Sequence, residues 1–221
     1  MPEAPHLDER LLAAGKLVKQ GLPAADIGCD HAKLSAWLVC TGRCPRVIAC
    51  DLRKGPLEKA ALTCRQYKCE DRVELRLANG LELVEPGEAA SIVLAGISAQ
   101  TSIEILEAAP WVKTPGLRLI CVPATKAGLL RRWLWQNGFS ILQDEPVKAA
   151  GRWYSAFCGE YSGELYEASD LECAVGSSDI QNTNKEYLAQ LTDKIKKLRL
   201  GAEKDAALAK RLDDLLRALT R

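Results

Sequence analysis

The residues best placed to do chemistry lie in Ala24-Ala25-Asp26-Ile27-Gly28-Cys29-Asp30-His31-Ala32, with Asp51 closing the later run Arg46-Val47-Ile48-Ala49-Cys50. The first stretch reads as a buried strand, a tight turn at Gly28 and the start of a helix running to about Val39. Such a turn brings backbone N–H groups and a helix N-terminus to one point, which favours polar or anionic ligand groups. A carboxylate ending a second strand, about 20 residues beyond the glycine, is placed to take the two hydroxyls of a ribose. Glycine turn and acid together point to a nucleoside cofactor.

Residue types narrow the choice. A nicotinamide-binding loop needs G-x-G-x-x-G, and here Asp30 and Ala32 stand where the second and third glycines would lie. A carboxylate beside a pyrophosphate would be repelled. S-adenosylmethionine carries no phosphate, so Asp26 and Asp30 can face its ammonium and sulfonium ends without penalty.

The segments Asp26–Ala32, Lys54-Gly55-Pro56-Leu57, Asn79-Gly80-Leu81-Glu82 and Ala95-Gly96 resemble the bacterial tRNA (adenine(22)-N(1))-methyltransferase family. The resemblance runs from about Leu7 to the end of the chain and is mostly a matter of pattern after Gly163. It implies a class I methyltransferase (Rossmann-like) α/β fold, with a doubly wound sheet and a C-terminal helical, coiled-coil-like hairpin. It also implies S-adenosyl-L-methionine as cofactor and tRNA as partner. Residues Asp26, Gly28, Cys29, His31, Asp51, Leu52, Asn79, Gly80, Ala95 and Gly96 are then the expected cofactor site, with Asp30 the catalytic candidate.

The elements that must position these residues follow from hydrophobic pattern. Leu7, Leu11, Leu12 and Val18 predict an opening helix over 7–20, packed beside the first strand and ended by Gly21. A plain core-covering role is adequate for it. From Pro23 onward strands and helices alternate, which predicts a parallel sheet with helices on both faces. Helices are expected from Gly55-Pro56 to about Tyr67, through Ile103–Leu106 and over Ala127–Gln136. Strands are expected at Val73–Leu77, Ser91–Ala95 and Leu117–Val122. Phe139–Val147 and Trp153–Gly159, joined across Ala150-Gly151, read as an antiparallel hairpin. Periodicity gives only a doubly wound sheet; seven strands ending in a reversed pair come from the resemblance.

Two units are expected: 1–160, the cofactor-binding domain, and 161–221, a C-terminal region helical from about 185. Residues 161–184 are polar, with Gly163, Gly176, Ser177 and Ser178, and form the expected boundary. Beyond them Leu188, Leu191, Ile195, Leu198, Ala202, Leu212, Leu216 and Leu219 fit one heptad register broken at Asp205. An antiparallel hairpin folding back at Gly201–Asp205 is the favoured reading; one continuous helix is the alternative.

The 221 residues suffice for one α/β domain and a small appendage. Nine cysteines without a C-x-x-C, and only His6 and His31, argue for reduced core thiols and against a disulfide framework or a metal site. Met1–Pro5 has neither a basic region nor an apolar run, and no segment nears a membrane span. A cytoplasmic protein is expected, and nothing in the residues specifies an oligomeric state. Charge is uneven: residues 185–221 carry ten Lys/Arg against six Asp/Glu, +4, which leaves −3 for the remainder of a chain of net +1. A basic tail suits RNA, and it equally suits a solvated helix face.

The chemistry expected is in-line transfer of a methyl group, driven chiefly by orientation. Asp30 would take a proton from the exocyclic amine of an adenine methylated at N1; a helix N-cap is its alternative role. Asp26 would fix the turn or hold the methionine amine, and His31 would pack or cap. Where the family has Ala-Gly-Met-Gly-Gly and Gln-Pro-Asn, this chain has Ala95-Gly96-Ile97-Ser98-Ala99 and Val122-Pro123-Ala124. Two amides that could hold an acceptor base are thus replaced. A methyltransferase with another acceptor, and a non-catalytic cofactor- or RNA-binding relative, are the competing readings.

Overall fold

The computed structural model describes residues 3–176, 183–202 and 205–219. Asp8 opens α1 (Glu9–Leu17) by accepting from the amides of Arg10 and Leu11, which satisfies two of the donors every helix start leaves free. The helix is shorter than its pattern, because the chain turns extended at Val18. It packs mainly across the far half of the sheet, not beside the first strand. Gly15 allows this helix to approach the helix that carries Trp37: a Cβ there would come within 2.8 Å of the Trp37 ring.

The alternation then runs β1 (Ala24–Ile27), α2 (Lys33–Cys40), β2 (Val47–Asp51), α3 (Lys54–Gln66), β3 (Val73–Leu77) and β4 (Ser91–Ala95). It continues through α4 (Ala99–Glu107), β5 (Arg118–Val122), α5 (Ala127–Gln136), β6 (Phe139–Ala149) and β7 (Arg152–Tyr161). One seven-stranded sheet results, in the order β3-β2-β1-β4-β5-β7-β6. The first five strands are parallel, and β7 pairs antiparallel with both β5 and β6. Strand order reverses between β1 and β4, the point where open α/β sheets leave a crevice at their carboxyl edge.

Both faces of the sheet are covered, so the central strands are buried along their whole length. Val47, Ala49, Val93 and Ile120 pack towards α1, α2 and α3. Ile48, Cys50, Ile92 and Leu119 pack towards α4 and α5. All nine cysteines are buried free thiols, spread through these layers. No helix of the described residues is long and apolar enough to cross a membrane.

The expected polar boundary contains a helix the pattern did not give, α6 (Asp170–Val175). Ser169 and Glu172 cap it reciprocally, a local signature that composition alone conceals. Ser177 and Ser178 lie outside the described residues. Then α7 (Lys185–Gly201) and α8 (Ala206–Leu219) pack on each other as a helical hairpin. Ile195, Ala202, Leu212 and Leu219 form its seam together with Val175 of α6. Leu198 departs from the register and is 63% exposed, since the helices meet α6 as well as each other and a strict two-helix seam does not hold.

A buried ion pair ties this tail to the sheet. Arg131 of α5 is bidentate to Asp144 of β6, at 2.6 and 2.9 Å, and donates to the carbonyls of Cys173 and Ala174 at the end of α6. Tyr187 of α7 is buried too, its hydroxyl 2.8 Å from that of Ser155 on β7.

Candidate active site

The crevice at the carboxyl edge is a cleft of about 600 Å³, within the size range of small-molecule sites. Its wall includes every residue expected at the cofactor site: Asp26, Gly28, Cys29, His31, Asp51, Leu52, Asn79, Gly80, Ala95 and Gly96, with Asp30 among them. They reach it from the ends of β1, β2, β3 and β4, so residues up to 70 positions apart in the chain meet there.

The turn after β1 does not offer its amides to a ligand. The N–H groups of Gly28 and Cys29 both donate to the carbonyl of Cys50, at 2.9 Å each, and that of Asp30 donates to Asp51 Oδ2 at 3.1 Å. The amides of Gly28, Cys29 and Asp30, expected to face a ligand, are thus spent inside the protein. Gly28 (φ +73°) bends the chain there, and a Cβ would meet Ile97 Cγ2 at 3.2 Å. Asp30 and Ala32 also have positive φ, at 50° and 51°. For Asp30 that conformation is tolerated; for Ala32 it is strained, and strain of this kind concentrates at working sites.

With those two residues left-handed, α2 begins at Lys33, later than the pattern implied, and Ala32 at its N-cap offers no side-chain acceptor. Asp30 is thus not the N-cap, and its side chain is 63% exposed, with Oδ1 3.7 Å from His31 Nε2. Asp26 does that work from the strand below: it accepts the Ser35 hydroxyl at 2.6 Å and the Ser35 amide. Burial pushes its pKa up to about 6, against those two hydrogen bonds and with the nearby Asp51 charge adding to the rise.

Asp51 is 6% exposed and held at both oxygens, by the Asp30 amide and by the Arg53 amide at 2.9 Å. Each oxygen keeps a lone pair for a further donor. Next to it Leu52 is 66% exposed, an apolar surface at the cleft. Asn79 donates its amide N–H to Glu82 at 3.2 Å, and its carbonyl oxygen has no protein partner among the described residues. Cys29 is no nucleophile: burial, then the charges of Asp26 and Asp51, push its thiol up.

Three parts of the wall escaped the sequence reading. Asp8, Arg10 and Leu11 come from the opening helix, whose first turn reaches the cleft. Arg10 pairs with Asp8 at 2.8 Å and lies over the Tyr154 ring, 5.1 Å from its centroid. Ile97, Thr101 and Ile105 come from the loop after β4 and from α4. Lys33 and Arg53 each follow a recognised residue by two or three positions and gave no separate signal.

The substituted positions behave otherwise than expected, for none of Ser98, Ala99, Val122 and Ala124 lines the cleft. Ser98 caps α4 through the Thr101 amide at 3.0 Å. Ala99 is fully buried, and Val122 is 1% exposed among Ile120, Ala156 and their neighbours. A glutamine at 122 would bury its amide in an apolar layer. No group of three or more His, Cys, Asp or Glu side chains arranged to hold a metal occurs among the described residues.

Comparison with known proteins adds the family. A curated relative from Bacillus subtilis (strain 168), a tRNA (adenine(22)-N(1))-methyltransferase, is 29% identical over 154 residues. That alignment takes in 70% of this chain and 65% of the relative's length. The crystal structure of the B. subtilis m1A22 tRNA methyltransferase TrmK superposes with a TM-score of 0.85 at 24% identity, covering 97% of each chain. A Streptococcus pneumoniae structure containing S-adenosyl-L-methionine gives 0.83 at 25% identity, over 97% of this chain and 98% of that one. The model of the methyltransferase domain matches residues 7–157, which run from just before α1 to the middle of β7. With that match over a fold wound around the β1–β4 crevice, the chain belongs to the methyltransferase domain family.

Proposed function

We propose that this protein is an S-adenosylmethionine-dependent methyltransferase acting on N1 of an adenine, position 22, in tRNA. The observation that carries the reading is the inversion at the β1 turn, with amides turned inward and carboxylates turned to the cleft. A pyrophosphate would meet the carboxylates of Asp26, Asp30 and Asp51 while the amides of Gly28, Cys29 and Asp30 are spent inside the protein, whereas a donor with cationic ammonium and sulfonium groups meets opposite charge. The B. subtilis relative is named for the reaction and the S. pneumoniae relative holds the donor, and both support the reading.

Bound in the cleft, S-adenosylmethionine supplies a methyl group activated by its sulfonium. Asp51, already fixed by two backbone donors, accepts from the ribose hydroxyls without having to reorganise. Leu52 covers a face of the donor's adenine, and the Asn79 carbonyl accepts from its amine. Asp26 holds the first turn of α2 in place and gives the cleft negative charge. Gly28, Cys29, His31, Gly80, Ala95 and Gly96 complete the wall. Asp30, exposed at the cleft mouth, takes the proton that the acceptor's exocyclic amine loses once N1 carries the methyl group. The acceptor base must leave its stack to present that edge.

The same reading places the protein in the cytoplasm. It assigns cofactor binding to residues 1–160 and has the C-terminal region, with α6, α7 and α8, help to grip RNA. Purified protein incubated with tRNA and isotopically labelled donor, followed by mass spectrometry of the nucleosides, tests it. Label in 1-methyladenosine is the expected result, and label in another nucleoside or in none overturns the assignment of the acceptor.

A further inference from the structure

The antiparallel strand β7 overshoots the sheet. Cys121 pairs with Phe157, so residues 152–155 extend past the end of β5, on the edge where Gly28, Asp51 and Gly96 lie. Three inter-strand spacings separate β7 from β1, about 14 Å. The tip of the β6–β7 hairpin therefore rises beside the cleft.

α7 is locked against this tip. Gln190 bonds both backbone groups of Trp153, accepting from its N–H and donating to its carbonyl, each at 2.9 Å. Lys148 stands over the Trp153 ring, 5.5 Å from the centroid, and is neutralised by Glu186 at 2.6 Å. Arg152 precedes Trp153, while Lys194 and Lys197 follow Gln190 by four and seven residues, hence on the same side of α7. None of these three cations has a carboxylate partner among the described residues. Partial burial first, and the Arg152 charge after it, hold the Lys194 amine below its usual pKa. Like charges held together in this way raise the energy of the free protein, and an anion relieves it.

We propose that the β6–β7 tip and the middle turns of α7 form a ledge for the phosphate backbone of the RNA acceptor, with Arg152, Lys194 and Lys197 as its cations. This rests on the RNA reading above and assigns it a surface. RNA is the occupant because the ledge shares an edge with the cleft, and because half-buried Trp153 lies among its cations with Lys148 over its ring. A strand lying on the ledge presents its next nucleotides to the cleft.

The test compares two triple variants with the wild type. In one, Arg152, Lys194 and Lys197 become Ala; in the other, Lys185, Lys196 and Lys210 become Ala, the same loss of charge elsewhere. Binding of transcribed tRNA is followed against salt, with donor affinity by calorimetry as the check of folding. The first triple should bind RNA at least about tenfold more weakly at physiological salt, with the slope of log K against log salt reduced by about 2–3. Its donor affinity should be unchanged. Equal losses in both triples, or no loss in the first, overturn the ledge and leave the RNA reading standing. A wild-type protein with no salt-dependent RNA binding overturns both.

Discussion

The two ends of the cleft edge are built by different means. At β1 and β2 the wall is made by short bonds between adjacent strand ends: the amides of residues 28–30 go to Cys50 and Asp51, those of Asp30 and Arg53 fix the Asp51 carboxylate, and Ser35 bonds Asp26. At β5–β7 the edge, which lies outside the cleft lining except for Arg10, is assembled from distant pieces. Arg131 meets Asp144 and the end of α6, Tyr187 meets Ser155, Gln190 meets Trp153, and Arg10 lies over Tyr154. A donor common to many reactions can be held by the first kind of wall. An acceptor peculiar to one reaction requires the second, which insertions and side-chain changes can alter without disturbing the donor.

Breaking the distant wall should produce the largest effect. Asp144→Ala leaves the Arg131 guanidinium buried without its counter-ion, and stability should fall by about 3–5 kcal/mol in denaturant unfolding. Below the unfolding transition its donor affinity should match the wild type. A parallel loss of donor binding in still-folded protein would show that the two ends are not separable.

Breaking the local wall should do the reverse. Asp51→Ala removes two charge-assisted hydrogen bonds, each worth about 1.5–3 kcal/mol, so calorimetry should show donor affinity reduced by about 100-fold or more. An unchanged affinity would sink the role given to Asp51.

Val122→Gln sharpens the boundary between them. Its amide would enter the layer of Ile120 and Ala156, at a cost of about 1–3 kcal/mol, with no gain in methylation rate. A faster variant would mean that position 122 reaches the acceptor after all.

The smallest effect is one of pH. Asp26 titrates at about 6, and a cationic donor favours its ionised form. Donor affinity should therefore fall about tenfold from pH 7 to pH 5, and Asp26→Asn should flatten that dependence. The sign for stability is opposite. Because the folded pKa is raised, the stability this carboxyl contributes is full below about pH 4 and is lost as pH rises through 6. A flat affinity profile in the wild type would remove Asp26 from the donor's surroundings.

The residues alone determined the strands, most helices and which side chains line the cleft at β1 and β2. Val73–Leu77, Ser91–Ala95 and Ala127–Gln136 coincide with their hydrophobic patterns, because a half-exposed edge strand alternates, a strand covered on both faces is apolar throughout, and an amphipathic helix shows its period. Gly28 and Asp51 were legible for a similar reason, since a sharp turn and a strand-end carboxylate are each made within a few residues. Tertiary structure decided what depends on neighbours far along the chain. It withdrew the amides of Gly28 and Cys29 to Cys50, brought Arg10 over Tyr154, and drew Leu198 out of the tail's seam. It also set Val122 inside the core and away from the cleft wall. A residue's period reports which side of its own element it occupies. What stands on that side is settled only when the sheet closes and the tail docks.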